Sequence, residues 1–161
     1  MATAVLKKGD LGSLMLQNIF ELERRSGIKL ELAQKTLLAE TGTIEQVLSI
    51  LTGAVVRVNI VEQRENKKII SRDSLLLNDA DKVLIRAHSK IFVYNLPRKI
   101  ASQIRQKQLG IGTILANSHL ETFRNIIEVG YDPVNRSVFR KYRIIYRKKV
   151  AFEIMEELVG V

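Results

Sequence analysis

GAVVRVNIVEQRENKKIISRDSLLLNDADKVLIRAHSKIFV, residues 53–93, is the stretch whose periodicity decides the fold. Before it the apolar residues recur every three to four positions. Within it they recur every two. Val56, Val58 and Ile60 fall on one side of an extended chain, with Arg57 and Asn59 on the other, which predicts a strand over 54–63. Residues 64–67 (RENK) read as a polar hairpin loop. A second strand follows over 68–77, and 78–81 (NDAD) turns the chain again. Val83, Ile85, Ala87, Ser89, Ile91 and Val93 then alternate with Lys82, Arg86, His88 and Lys90. This is a long third strand with one basic face.

Upstream, Asp10 is placed to cap a helix whose apolar stripe is Leu11, Leu14, Met15, Ile19 and Leu22. Residues 30–39 read as a second short helix. Thr43-x-x-Gln46 has the form of a capping box, and Ile44, Val47, Leu48 and Leu51 line the third helix up to its stop at Gly53. Downstream, Pro97 introduces a helix over 98–108, closed by Leu109-Gly110-Ile111-Gly112. Residues 122–129 predict a strand with Phe123, Ile127 and Val129 on one face, and Asn125 among them. After a turn at 131–135, residues 139–146 and 150–158 form a closing hairpin around Arg147-Lys148-Lys149. Helices first, then strands joined by short turns, with one helix between two groups of strands, is an α+β order. It predicts a single antiparallel sheet of about six strands with helices packed on one face, in one domain spanning residues 1–161.

Composition narrows the chemistry. With 46% hydrophobic and 27% charged residues the chain is that of a folded globular protein. It has no cysteine, which excludes disulfides, thiolate nucleophiles and cysteine-based zinc sites. Its two histidines, His88 and His119, have no metal-binding spacing, and no nucleophile motif adjoins either. Gly110-x-Gly112 follows a helix instead of a strand and lacks a third glycine, so it is not a dinucleotide fingerprint. The formal charge of +9 attracts anions. A nucleic-acid partner is not expected: there is no tryptophan, and aromatic residues make up only 6%. No apolar run is long enough for a membrane span, and MATAVLKKGD has no signal-peptide core, so a cytoplasmic protein is the default expectation.

Two residues stand out for chemistry. Period two puts Val150, Phe152, Ile154, Glu156 and Leu158 on one face of the last strand, with Glu153 and Glu157 on the other. Glu156 thus interrupts an apolar face, where a carboxylate is costly unless paired or neutral. Two readings are open: a group serving proton transfer or hydroxyl binding, or a residue at a frayed strand end reaching water. Arg72 lies inside the second strand between Ile70 and Ser74. It either forks two hydrogen bonds to a bound carboxylate or makes an ordinary cross-strand ion pair. The stripe of Arg86, His88 and Lys90 is explained equally by solvent and by a ligand.

The order of several segments resembles the chorismate lyase family and the related UTRA ligand-binding domains. TLLAETGTIEQVL (36–48) is similar to that family's opening helices. Arg72 before Ser74-Leu75-Leu76 is similar to its arginine followed by an aliphatic strand. LG-x(3)-I-L, FRNIIEVG (123–130), VFRKYRIIY (138–146) and a terminal strand bearing a glutamate complete the series, which is strongest over residues 36–158. The resemblance implies a ligand buried between a six-stranded antiparallel sheet and flaps. It implies elimination of pyruvate from chorismate to leave 4-hydroxybenzoate, with no metal or organic cofactor. It further implies Arg72 as the carboxylate-binding arginine and Glu156 as the glutamate at the product hydroxyl, with Glu153 its alternative under a different gap. Thr43 and Ile114 fall where backbone groups meet the carboxylate. A second cation, Arg86 or Lys90, is expected for the enolpyruvyl carboxylate. The loop departs from the family pattern, reading GIGTIL, and Met155 precedes Glu156 where the family has a hydroxylated residue. The competing expectation is a UTRA-like domain that binds a small anionic effector without turnover. The stretch before residue 36 lacks a clear recognition helix, which favours the enzyme.

Overall fold

The computed structural model describes residues 11–161, so the Asp10 cap lies outside the described residues. The chain runs through helices α1 (Leu11–Ser26), α2 (Leu32–Ala39) and α3 (Ile44–Thr52) and strands β1 (Arg57–Asn66), β2 (Ile69–Leu77) and β3 (Val83–Phe92). A short 3-10 turn (Val93–Asn95) leads to α4 (Arg98–Arg105) and α5 (Ile111–Asn117). Strands β4 (Phe123–Asp132), β5 (Ser137–Tyr146) and β6 (Lys149–Leu158) finish it. The six strands form one antiparallel sheet in the order β1-β2-β3-β6-β5-β4. The last strand therefore sits at the centre, between the two groups, and both faces of its pleat matter. Among the described residues no helix is long and apolar enough to cross a membrane.

The helices cover one face. Met15, Ile19 and Leu22 are the buried positions of α1, spaced four and three apart, and that stripe packs towards β4. Leu37, Leu38 and Leu48 of α2 and α3 are fully buried and join Ile70, Ile91, Ile144 and Phe152 of the sheet in one core. The opposite face carries cross-strand polar pairs: a His88–Asp73 hydrogen bond and the ion pairs of Arg86 with Glu157 and Arg143 with Glu153. The basic stripe of β3 is thus an open sheet face matched by acids on its neighbours. Such exposed pairs contribute little to stability.

Four expectations are corrected. The loop expected at 64–67 is a two-residue turn at Lys67-Lys68, both at positive φ, and β1 runs on to Asn66. That conformation matches the twist of a hairpin. Thr43 is the N-cap of α3 but its hydroxyl makes no capping bond; the box is formed by Glu31 and Gln34 at the start of α2. Gly110 does not merely close the preceding helix, because it is the N-cap of α5. In β4 the pairing slips between Ile126 and Glu128, so Ile126 and Val129 are buried while Phe123 is exposed. A bulge inverts parity beyond it, which a strict two-residue period cannot register.

Candidate active site

The site begins with the covered face of the central strands, which lacks bulk. In register across the sheet, one row reads Gln63, Arg72, Ser89, Ile154 and Tyr142, and the next reads Ser74, Ala87, Glu156 and Arg140. Large side chains would fill the space under the helices. Ser74, Ala87 and Ser89 leave it hollow. The resulting cavity lies between the sheet and the starts of α3 and α5. Arg72, Glu156, Tyr142 and Arg124 line it from the sheet, and Gly42, Glu45, Gly110 and Gly112 from the helical side.

Arg72 is 1% exposed. Its Nε donates to Gln63 Oε1 at 2.7 Å, Nη1 to the carbonyl of Leu109 at 3.1 Å and Nη2 to that of Ile104 at 2.6 Å. No acid pairs with it among the described residues. Burial without a counter-charge pulls its pKa down to about 10. A guanidinium has five N–H groups. Three are used here, which leaves one on each terminal nitrogen, the fork that a carboxylate accepts.

Glu156, 3% exposed, is held from both sides. Arg140 Nε donates to its Oε2 at 2.8 Å and the Tyr142 hydroxyl to its Oε1 at 2.8 Å. Arg140 also donates to the carbonyl of Glu40 and lies 3.6 Å from that carboxylate. Burial alone lowers the pKa of Arg140, but the charges of Glu156, Tyr142 and Glu40 more than offset it, so the guanidinium stays charged. Burial, then the charge of Glu156, pushes the Tyr142 phenol well above its ordinary value and keeps it a donor.

Glu45 is the third carboxyl group. It sits in the first turn of α3 and faces the start of α5, so closely that a Cβ on Gly110 would come within 2.7 Å of its Oε1 and one on Gly112 within 3.0 Å of its Oε2. Gly110 and Gly112 are required here to admit the carboxyl group. Burial raises the Glu45 pKa, its own backbone N–H lowers it, and the nearby Glu156 raises it further.

The structure therefore brings Arg72 and Glu156 to one cavity. They stand on β2 and β6, two strands apart, a separation of about 10 Å at the usual strand spacing. Thr43 and Ile114 do not line it; their neighbours Gly42, Ile44, Ile111 and Gly112 do. Glu153 pairs with Arg143 on the open face at 3.1 Å. Arg86 and Lys90 alternate with Ala87 and Ser89 along β3 and so point away from the cavity, correcting both as candidates for the second cation. Sequence reasoning missed Arg140, Tyr142, Glu45 and Arg124. Arg140 and Tyr142 had a detectable signal, since period two in β5 puts them on the same face as Ile144.

An α+β protein with a polar cavity between a hollowed sheet and two helix starts is the class that this fold and site define. No family model matches the chain. A chorismate pyruvate-lyase of Mycobacterium leprae (strain TN) is 30% identical, with 77% of this chain and 72% of that protein covered. Proteins of the same name from Mycobacterium tuberculosis (strain ATCC 25618 / H37Rv) and Mycobacterium bovis are 27% identical, covering 73% of this chain and 74% of each. The chain belongs to the chorismate pyruvate-lyase family.

Proposed function

We propose that the protein eliminates pyruvate from chorismate to give 4-hydroxybenzoate. One observation carries this reading within the family. A buried arginine with two unused N–H groups and a buried carboxylate face one cavity, the pair of groups that a ring with a carboxylate at one end and a hydroxyl at the other requires. Arg72 binds the ring carboxylate. Backbone groups at the starts of α3 and α5, beside Thr43 and Ile114, contribute to the same anion. Glu156 stands at C4 as base or hydroxyl acceptor. The C4–H leaves as a proton and its electron pair becomes the C3–C4 double bond. The C3–O bond breaks, and the departing enolpyruvate gains a proton to become pyruvate. Aromatisation drives the step, so the protein supplies chiefly position and a proton acceptor. Arg140 and Tyr142 fix which way the Glu156 carboxylate points.

Incubation with chorismate, following pyruvate and 4-hydroxybenzoate together, tests the reading. Equimolar formation of both is expected. Binding of 4-hydroxybenzoate without any pyruvate release would instead support an effector-binding domain.

A further inference from the structure

Arg124 is a half-buried cation whose charge the reaction proposed above does not use. It enters from β4, in register with Ile144 of β5, and lines the same cavity as Arg72 and Glu156. Nη1 donates to the carbonyl of Thr41 at 3.2 Å. Its Nε is buried and has no hydrogen-bond partner. Among the described residues no salt bridge reaches it, although the Glu45 and Tyr142 side chains lie within its field. A buried donor left unmade is expensive, and such groups in a cavity lining point to an absent acceptor.

The placement says which acceptor. Across the sheet the order is Arg72 on β2, Glu156 on β6 and Arg124 on β4, with one strand between each. A ring carboxylate on Arg72 directs C4 towards Glu156. The substituent on the adjacent C3 then lies at the Glu156 end of the cavity, on the side of Arg124. We infer that Arg124 binds the second carboxylate, that of the enolpyruvyl group, and so makes the site select a dicarboxylate over a monocarboxylate. This rests on the proposed reaction. The other cation of that region, Arg140, is already engaged by Glu156 and Glu40. Arg86 and Lys90 face the open side of the sheet.

Chorismate carries two carboxylates and 4-hydroxybenzoate one, so the two ligands separate the roles. The experiment measures KM for chorismate and the competitive inhibition constant of 4-hydroxybenzoate for the wild type, Arg124→Lys and Arg124→Gln. Loss of a charge-assisted bond in Arg124→Gln raises KM about 10- to 100-fold, while the inhibition constant moves less than about threefold. Arg124→Lys retains the charge and falls between. A parallel rise of both constants would overturn the inference, since it would mean that Arg124 only shapes the cavity. Unchanged constants would overturn it too. If Arg124→Gln fails to fold, the ratio of the two constants in Arg124→Lys decides. A wild type that yields no pyruvate refutes the proposed reaction instead, and is distinguishable from either outcome.

Discussion

Arg72 and Arg140 are both 1% exposed and both lie on the covered face of the sheet, yet their charges are answered differently. Arg140 meets two carboxylates and is kept charged by them. Arg72 meets only a side-chain amide and two carbonyls, and burial depresses its pKa to about 10. A buried charge closed by its own acids is part of the framework. A buried charge held only by dipoles leaves attraction to spare for an anion from solution. The difference separates two jobs within one cavity: Arg140 positions the carboxylate that acts, and Arg72 waits for the ligand.

The largest effect is expected at the group Arg140 positions. Glu156→Gln retains the shape and, through its amide oxygen, the bond from Arg140 but removes the proton acceptor. Turnover of chorismate should fall about 10²- to 10⁴-fold, read from initial rates of 4-hydroxybenzoate formation. An undiminished rate would rule out Glu156 as the base.

Next comes the framework itself. Arg140→Met leaves Glu156 and Glu40 buried without a cation, which should cost about 3–5 kcal/mol of stability in chemical denaturation. Arg72→Met strands carbonyls and an amide but no carboxylate, and should cost less in the same experiment. Equal losses would erase the distinction between the two arginines.

A smaller effect probes the hollow between them. Ala87→Val adds two methyl groups to the cavity floor without touching either charge. Affinity for 4-hydroxybenzoate should drop about tenfold by calorimetry, with the melting temperature unchanged.

The smallest concerns Glu45, whose carboxyl faces Glu156 across the cavity. Its folded pKa lies above the ordinary 4.5 because of burial. The folded state therefore holds a proton that the unfolded state has released, and this residue's contribution to stability declines as pH rises from about 4.5 through the raised value. The neighbouring Arg124 moderates that decline, while Glu40 and Glu156 strengthen it. Glu45→Gln should flatten the fall of melting temperature over that window. An unchanged slope would show that the group is ordinarily solvated.

The sheet was legible because half-buried strands write their pleat into the sequence: Ile70, Arg72, Ser74 and Leu76 alternate with less buried neighbours as their period requires. Glu156 was legible for the same reason, as a charge among Phe152, Ile154 and Leu158. Three things were not. The bulge after Ile126 reverses parity through backbone geometry that no side chain announces. Helix α5 is short and opens at Gly110-Ile111-Gly112, which looks like a turn, but its two glycines are there because Glu45 packs against them. Arg124 and Glu45 sat on segments whose pattern placed them at surfaces, and only the docking of α3 and α5 over the sheet turns them into cavity lining.

The most direct test of the two-arginine account is thermal unfolding with and without saturating 4-hydroxybenzoate. A ligand at about 100 times its Kd stabilises the native state by about 2.7 kcal/mol, so the wild type should melt higher when it is present. In Arg72→Met that increment should vanish while the ligand-free protein still unfolds cooperatively. A full ligand-induced rise in Arg72→Met would contradict the assignment of Arg72 to the bound carboxylate.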